Sequence, residues 1–156
     1  MQQWYKSHEL SLASLAEHKC PQKLDLTQDV TDYANLTPAE RRAFDGILSY
    51  LTFLDSIQTC NLPHVKSAVT APEVSLCLAE QISQEAMHGQ SYQVMLEAIV
   101  PSDRRAAVYD FWRTDDVLRK RCENIAGHYQ EYLDHPTQEN YFRSLVADYL
   151  LEGLVK

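Results

Sequence analysis

Apolar residues recur along most of the chain at gaps of three and four, the period of an amphipathic helix. The sharpest case runs Leu78, Ile82, Glu85, Gly89, Tyr92, Leu96 and Ile99, a seam whose gaps alternate four and three. Two members do not suit a plain apolar core: Glu85 is a carboxylate and Gly89 is a hole. At about 100° per residue Glu85 and Tyr92 nearly eclipse one another, and His88 lies roughly 60° to one side. A carboxylate, an imidazole and a phenol therefore meet on one buried surface. A buried charge without a partner is costly, and a metal cation is the simplest partner.

The flanking segments read in order as follows. Residues 1–20, with Trp4, Leu10, Leu12 and Leu15, are poorly spaced for a helix, and Pro21 to Asn35 reads as an extended arm with turns. Residues 1–36 thus form an N-terminal arm. Thr37-Pro38-Ala39-Glu40 is a capping box with proline at the first helical position. It opens a helix with Phe44, Ile47, Leu48, Leu51, Asp55 and Gln58 on one face, ended by Asn61-Leu62-Pro63. Asp55 stands eleven residues after Phe44, about 20° from it, so a second acid sits on an apolar stripe. Thr70-Ala71-Pro72-Glu73 opens the seam helix, about 43 Å long to Val100. Pro101-Ser102-Asp103 begins a short helix through Trp112, and Thr114-Asp115-Asp116 caps another through Leu133. Pro136-Thr137 starts the last, on which Leu145, Tyr149 and Glu152 share a face and supply a third acid in apolar company. No period-two pattern occurs, so the chain is expected to be all-α, an antiparallel bundle.

Composition narrows this picture. The 156 residues, 45% hydrophobic with four glycines and six prolines, suit a single helical domain. A net charge of -8 argues against nucleic acid or an anionic membrane as partner. Cys20, Cys60, Cys77 and Cys122 form no C-x-x-C pair and read as reduced thiols of a cytoplasmic protein. No run reaches membrane-spanning length. His8, His18, His64, His128 and His135 fall near helix ends or on polar faces and are given no role.

Three helices thus each place an acid on a core-facing stripe: Asp55, Glu85 and Glu152. One of them also carries Glu85-x-x-His88. Carboxylate di-metal bundles draw acids from two helices and Glu-x-x-His from two others. Carboxylates bridge hard cations, and an imidazole on each favours iron or manganese over magnesium. Each piece alone has a blander explanation. Glu-x-x-His occurs by chance on many helices, a lone buried acid is more often paired or partly solvated, and a lone Tyr92 is a core aromatic. Their coincidence on successive helices is the signal.

Five segments carry a family resemblance: Leu54-Asp55-Ser56-Ile57-Gln58, Thr70-Ala71-Pro72-Glu73-Val74, Gln84-Glu85-Ala86-Met87-His88-Gly89-Gln90-Ser91-Tyr92, Phe111-Trp112-Arg113-Thr114-Asp115 and Tyr149-Leu150-Leu151-Glu152-Gly153. In order and spacing they resemble the small, radical-bearing subunit of class I ribonucleotide reductase, over the chain from about Leu24 onward. The resemblance implies a ferritin-like helical bundle. It implies Asp55, Glu85 and His88 on one metal, with Glu85 and Glu152 reaching the second, and Tyr92 as the radical tyrosine. The cofactor would be two iron ions, or two manganese ions with an external oxidant. The oxidised centre would take an electron and a proton from Tyr92, and the hole would pass to a catalytic large subunit that reduces ribonucleotides. The family is usually dimeric through this half, so a homodimer is expected.

The pattern departs from the family in two places. The second Glu-x-x-His expected on a later helix does not occur, and Lys19 stands where the family has a tryptophan on the electron-transfer path. The chain therefore reads as the N-terminal half of the small subunit, with an incomplete second site and a need for a complementary C-terminal fragment. Alone it is expected to hold one metal weakly through Asp55, Glu85 and His88, to form no stable metal pair, and to be inactive. Two other readings stand beside this one. A ferritin-like metal oxidase would not need Tyr92, and a non-catalytic helical interaction protein would not need Glu85.

Overall fold

The computed structural model describes residues 25–152, and among them all regular structure is helical. The residues Trp4, Leu10, Leu12, Leu15 and Lys19 weighed above lie outside the described residues, as do Cys20, His8 and His18. The expected extended arm is instead a helix, α1, over Thr27–Asn35. Asp25 explains its start: Oδ1 accepts from the backbone N–H of Thr27 at 3.0 Å and from its hydroxyl at 2.7 Å. Tyr33 buries itself and anchors the helix, its hydroxyl donating to Asp45 at 2.9 Å.

Helix α2 spans Pro38–Ser67 and starts at the capping box as expected, with both reciprocal bonds between Thr37 and Glu40 in place. It does not end at Asn61-Leu62-Pro63. Proline forfeits one backbone bond, but the fully buried Leu62 and Val65 on either side pin the last turns to the bundle, so packing outweighs the local cost. After a four-residue connection α3 begins, over Pro72–Ile99, and packs antiparallel against α2.

The single short helix expected through Trp112 is two, α4 over Arg105–Tyr109 and α5 over Phe111–Thr114, broken at Asp110. Ser49 of α2 sets the break. Its hydroxyl donates to the Tyr109 carbonyl at 3.3 Å and accepts from the Trp112 N–H at 3.1 Å. Gly46 makes room beside it, since a Cβ there would stand 3.1 Å from the Phe111 ring. Helix α6 covers Asp116–Asp134, capped by Asp115, and α7 covers Gln138–Leu150, capped by Thr137. A π turn over Leu151 and Glu152 extends α7.

Two apolar clusters flank the middle of α2 and α3. One joins Tyr50, Leu54, Cys122, Ile125, Tyr129, Ala147 and Leu151 of α2, α6 and the α7 end. The other joins Tyr33, Leu48, Leu96, Ile99, Val100 and Val108, with Tyr92 packed against it. Some expected faces shift. Ile47 is 61% exposed, and Leu78, Ile82, Gly89 and Tyr92 of the seam are half-buried. On α7 the buried stripe is Ser144, Ala147 and Leu151, while Tyr149 is 76% exposed. Glu152 therefore approaches the interior through the π turn, not along the Leu145–Tyr149 stripe. Cys60, Cys77 and Cys122 are free thiols, and no described helix is long and apolar enough to cross a membrane.

Candidate metal centre

The antiparallel pairing of α2 and α3 brings Asp55 against Glu85 and Gly89 between the two apolar clusters. Asp55 is 1% exposed and Glu85 4%, so both carboxylates are inside the fold. His88, one helical turn beyond Glu85, is 44% exposed at its side chain, with Nδ1 3.6 Å from Glu85 Oε2. One ligand atom from each of Asp55, Glu85 and His88 lies within 4.8 Å of the others. Ligand atoms around one ion held at about 2.1 Å stand roughly 3–4 Å apart, so a small inward movement would close the group on a single cation. Two carboxylates and an imidazole suit a divalent metal of the first transition row. The donor set and its spacing fit such an ion.

Glu152 is not in that group. It is half-buried, and its Oε1 accepts from Gln58 Nε2 at 3.1 Å. The same nitrogen donates to Asp148, four residues before Glu152. Gln58, fully buried on α2, accepts in turn from the Tyr129 hydroxyl of α6 at 2.7 Å. Burial pushes the Tyr129 phenol well above its ordinary range, and the charges of Asp148, Glu152 and Glu85 push it further. The fields of Glu85 and Glu152 thus meet at one phenol, although the two acids come from different helices.

Tyr92 sits seven residues beyond Glu85 on α3, about 10 Å along the axis, half-buried against the Leu48–Leu96 cluster. A cleft of about 910 Å³, lined by Asp55, Glu85, Gly89, Phe53 and Trp112 among others, leads to the carboxylates between α2, α3 and the α4–α5 join. Trp112 stacks on Phe53 at its wall, ring centroids 3.8 Å apart.

In the sequence Gln58 shows only as a member of the α2 face, and Tyr129 and Asp148 carry no motif. Asp148 shares the α7 face of Glu152 at a spacing of four, which is a usable signal. Tyr129 follows Cys122 and Ile125 on a core stripe, and nothing local marks its hydroxyl as polar contact.

Three comparisons bear on the identity of this arrangement. A family model described as "Ribonucleotide reductase, small chain" matches residues 6–155. The ribonucleoside-diphosphate reductase subunit beta of Treponema pallidum is 41% identical over 134 residues, which are 86% of this chain and 38% of that protein. The subunit beta of Halalkalibacterium halodurans is 33% identical over 140 residues, 90% of this chain and 41% of that protein. Among solved structures, a ribonucleotide reductase R2 subunit from Clostridium botulinum superposes with a TM-score of 0.91 at 37% identity, over 98% of this chain and 47% of that one. The chain thus spans about two fifths of the length of these curated relatives.

Proposed function

Starting from the premise that this chain belongs to the ribonucleotide reductase small-chain family, we propose that Asp55, Glu85 and His88 would hold one metal of a di-metal centre and that Tyr92 is the phenol such a centre would serve to oxidise. The observation that carries this reading is the convergence of the three ligand atoms from α2 and α3. Asp55 and Glu85 bring negative charge that neutralises a divalent cation, and His88 adds an imidazole that favours iron or manganese over magnesium. Glu152, at the end of α7, would contribute a carboxylate to the second metal. The remaining ligands of that metal would come from outside these 156 residues, in which Glu85-x-x-His88 is the one Glu-x-x-His.

When bound and oxidised by dioxygen, or for manganese by an external oxidant, a metal pair would supply the oxidising power for removing one electron and one proton from a phenol. The chain's own part is to hold that phenol where water and reductants are excluded. On this reading Tyr92 is that phenol, and its packing against the Leu48–Leu96 cluster supports the role. The hole on Tyr92 is destined for a catalytic large subunit that reduces ribonucleotides, with a homodimer of small subunits and a complementary C-terminal segment completing the assembly.

Metal analysis and electron paramagnetic resonance test this. After iron(II) or manganese(II) loading in air and desalting, the chain is expected to retain no more than about one equivalent and to show no tyrosyl signal. Asp55→Ala or His88→Ala removes that equivalent. Failure of the wild-type chain to take up metal would refute the metal-centre reading, and two retained equivalents with a tyrosyl signal would refute the half-site reading.

A further inference from the structure

We propose that Gln58 is a positioning residue, a neutral clamp that orients the Glu152 carboxylate for a second metal before metal arrives. The inference rests on the metal-centre reading above and adds to it a residue, a hydrogen-bond chain and a direction of action.

The donors and acceptors leave one orientation for the amide. Ionised carboxylates only accept, so the nitrogen of Gln58 must face Asp148 and Glu152, as it does. Its oxygen then needs a donor, and the Tyr129 hydroxyl is that donor at 2.7 Å. Flipping the amide would set its oxygen against two carboxylates. Tyr129 thereby locks the side chain from α6, and Gln58 transmits the lock to α7.

The mechanical logic follows from where each group is rooted. Gln58 lies three residues beyond Asp55 on α2, so one rigid helix carries both a metal ligand and the clamp. Glu152 lies in a π turn at the end of α7, a wider and less regular segment than the helix before it. A glutamate has three side-chain torsions to order, and a bond to a fully buried amide orders them in advance. Gln58 does this without adding charge to a region that already holds Asp55, Glu85, Asp148 and Glu152.

The test is a cobalt(II) titration of the full chain followed by visible absorption. The wild type is expected to show a tighter phase at Asp55, Glu85 and His88 and a weaker phase that depends on Glu152 and is lost on desalting, so that only the first survives as a retained equivalent. Gln58→Leu should leave the first phase within about twofold and weaken the second about 10- to 100-fold, the usual cost of removing a group that orients a ligand. Tyr129→Phe, which removes only the hydroxyl and guards against misfolding of the first variant, should weaken the second phase about two- to tenfold. Adding Gln58→Leu to Glu152→Gln should cause no further loss, a non-additivity that general destabilisation would not produce. A second phase unchanged in both single variants overturns the clamp, as does a wild-type titration with the first phase alone. Absence of the first phase in the wild type overturns the metal-centre reading itself.

Discussion

Gly89 of α3 faces Asp55 of α2 so closely that a Cβ built on the glycine would stand 3.9 Å from the aspartate Cβ, an ordinary contact distance. The glycine is therefore not required by sterics, and in a helix interior it costs about 0.8–1 kcal/mol relative to alanine. Gly89→Ala is expected to stabilise the chain by up to that amount in urea denaturation. Gly127→Ala, with open space around it, should do the same. Gly46→Ala should gain less or lose, because the new methyl would meet the Phe111 ring at 3.1 Å. Equal gains at all three positions would contradict the close approach of α5 to α2.

Two carboxylates buried side by side cost stability to the extent that their charges are not offset by neighbours, and a cation bound between them offsets both. Asp55 and Glu85 lie within 4.8 Å at their nearest ligand atoms and are both buried. Glu85→Gln should therefore raise the melting temperature of the metal-free chain, by about 2–4 °C for each kcal/mol of repulsion relieved. The same variant should lose the stabilisation that manganese(II) gives the wild type, about 2.7 kcal/mol at a hundredfold excess over the dissociation constant. Scanning calorimetry with and without manganese checks both halves. A Glu85→Gln chain that melts lower without metal would mean that the carboxylate is a structural group.

The interior also contains neutral acids that resist ionisation. Burial pushes the Cys122 thiol up to about 12, and burial with a hydrogen bond to Asp45 pushes the Tyr33 phenol up to about 12. Both folded values lie above the unfolded ones, so the stability they contribute is complete below those unfolded values. It is lost as pH rises through about 9 to 12 for Cys122 and about 10 to 12 for Tyr33. Unfolding free energy should fall across that window. In Cys122→Ala the fall should be shallower from pH 9 upward, and identical slopes in the two proteins would refute the assignment.

Much of this was legible in the sequence because it depended on local rules. The capping box at Thr37–Glu40 and the four-three spacing from Leu78 to Ile99 specify α2 and α3 from within themselves, and an acid on an apolar stripe stands out as an anomaly at Asp55 and Glu85. Features set by distant partners were not legible. Helix α1 has only Val30, Tyr33 and Ala34 as apolar residues, and its anchor is Asp45, twelve residues from Tyr33. The break at Asp110 is imposed by Ser49, some sixty residues away. The Gln58 chain joins positions 71 and 90 residues apart, which no periodicity reveals. Pro63 misled for the opposite reason: its local signal is strong, and tertiary packing overrides it.

The Asp45 cluster offers the last test, because it ties α1 to the helices that build the centre. Asp45 is buried and accepts from the Tyr33 hydroxyl at one oxygen, while Arg104 donates to the other at 2.7 Å. Removing the cation strands a buried carboxylate, whereas removing the phenol hydroxyl leaves the ion pair intact. Arg104→Met is therefore expected to cost about 1–3 kcal/mol, moderated by the partial exposure of the guanidinium, and Tyr33→Phe about 1 kcal/mol. Asp45→Asn combined with Arg104→Met should recover part of the loss, since the charge that needed a partner is gone. Denaturation of the wild type, Arg104→Met, Tyr33→Phe, Asp45→Asn and the double variant checks the order. A double variant whose loss equals the sum of its single losses would show that Arg104 supports the fold by packing and not by pairing with Asp45.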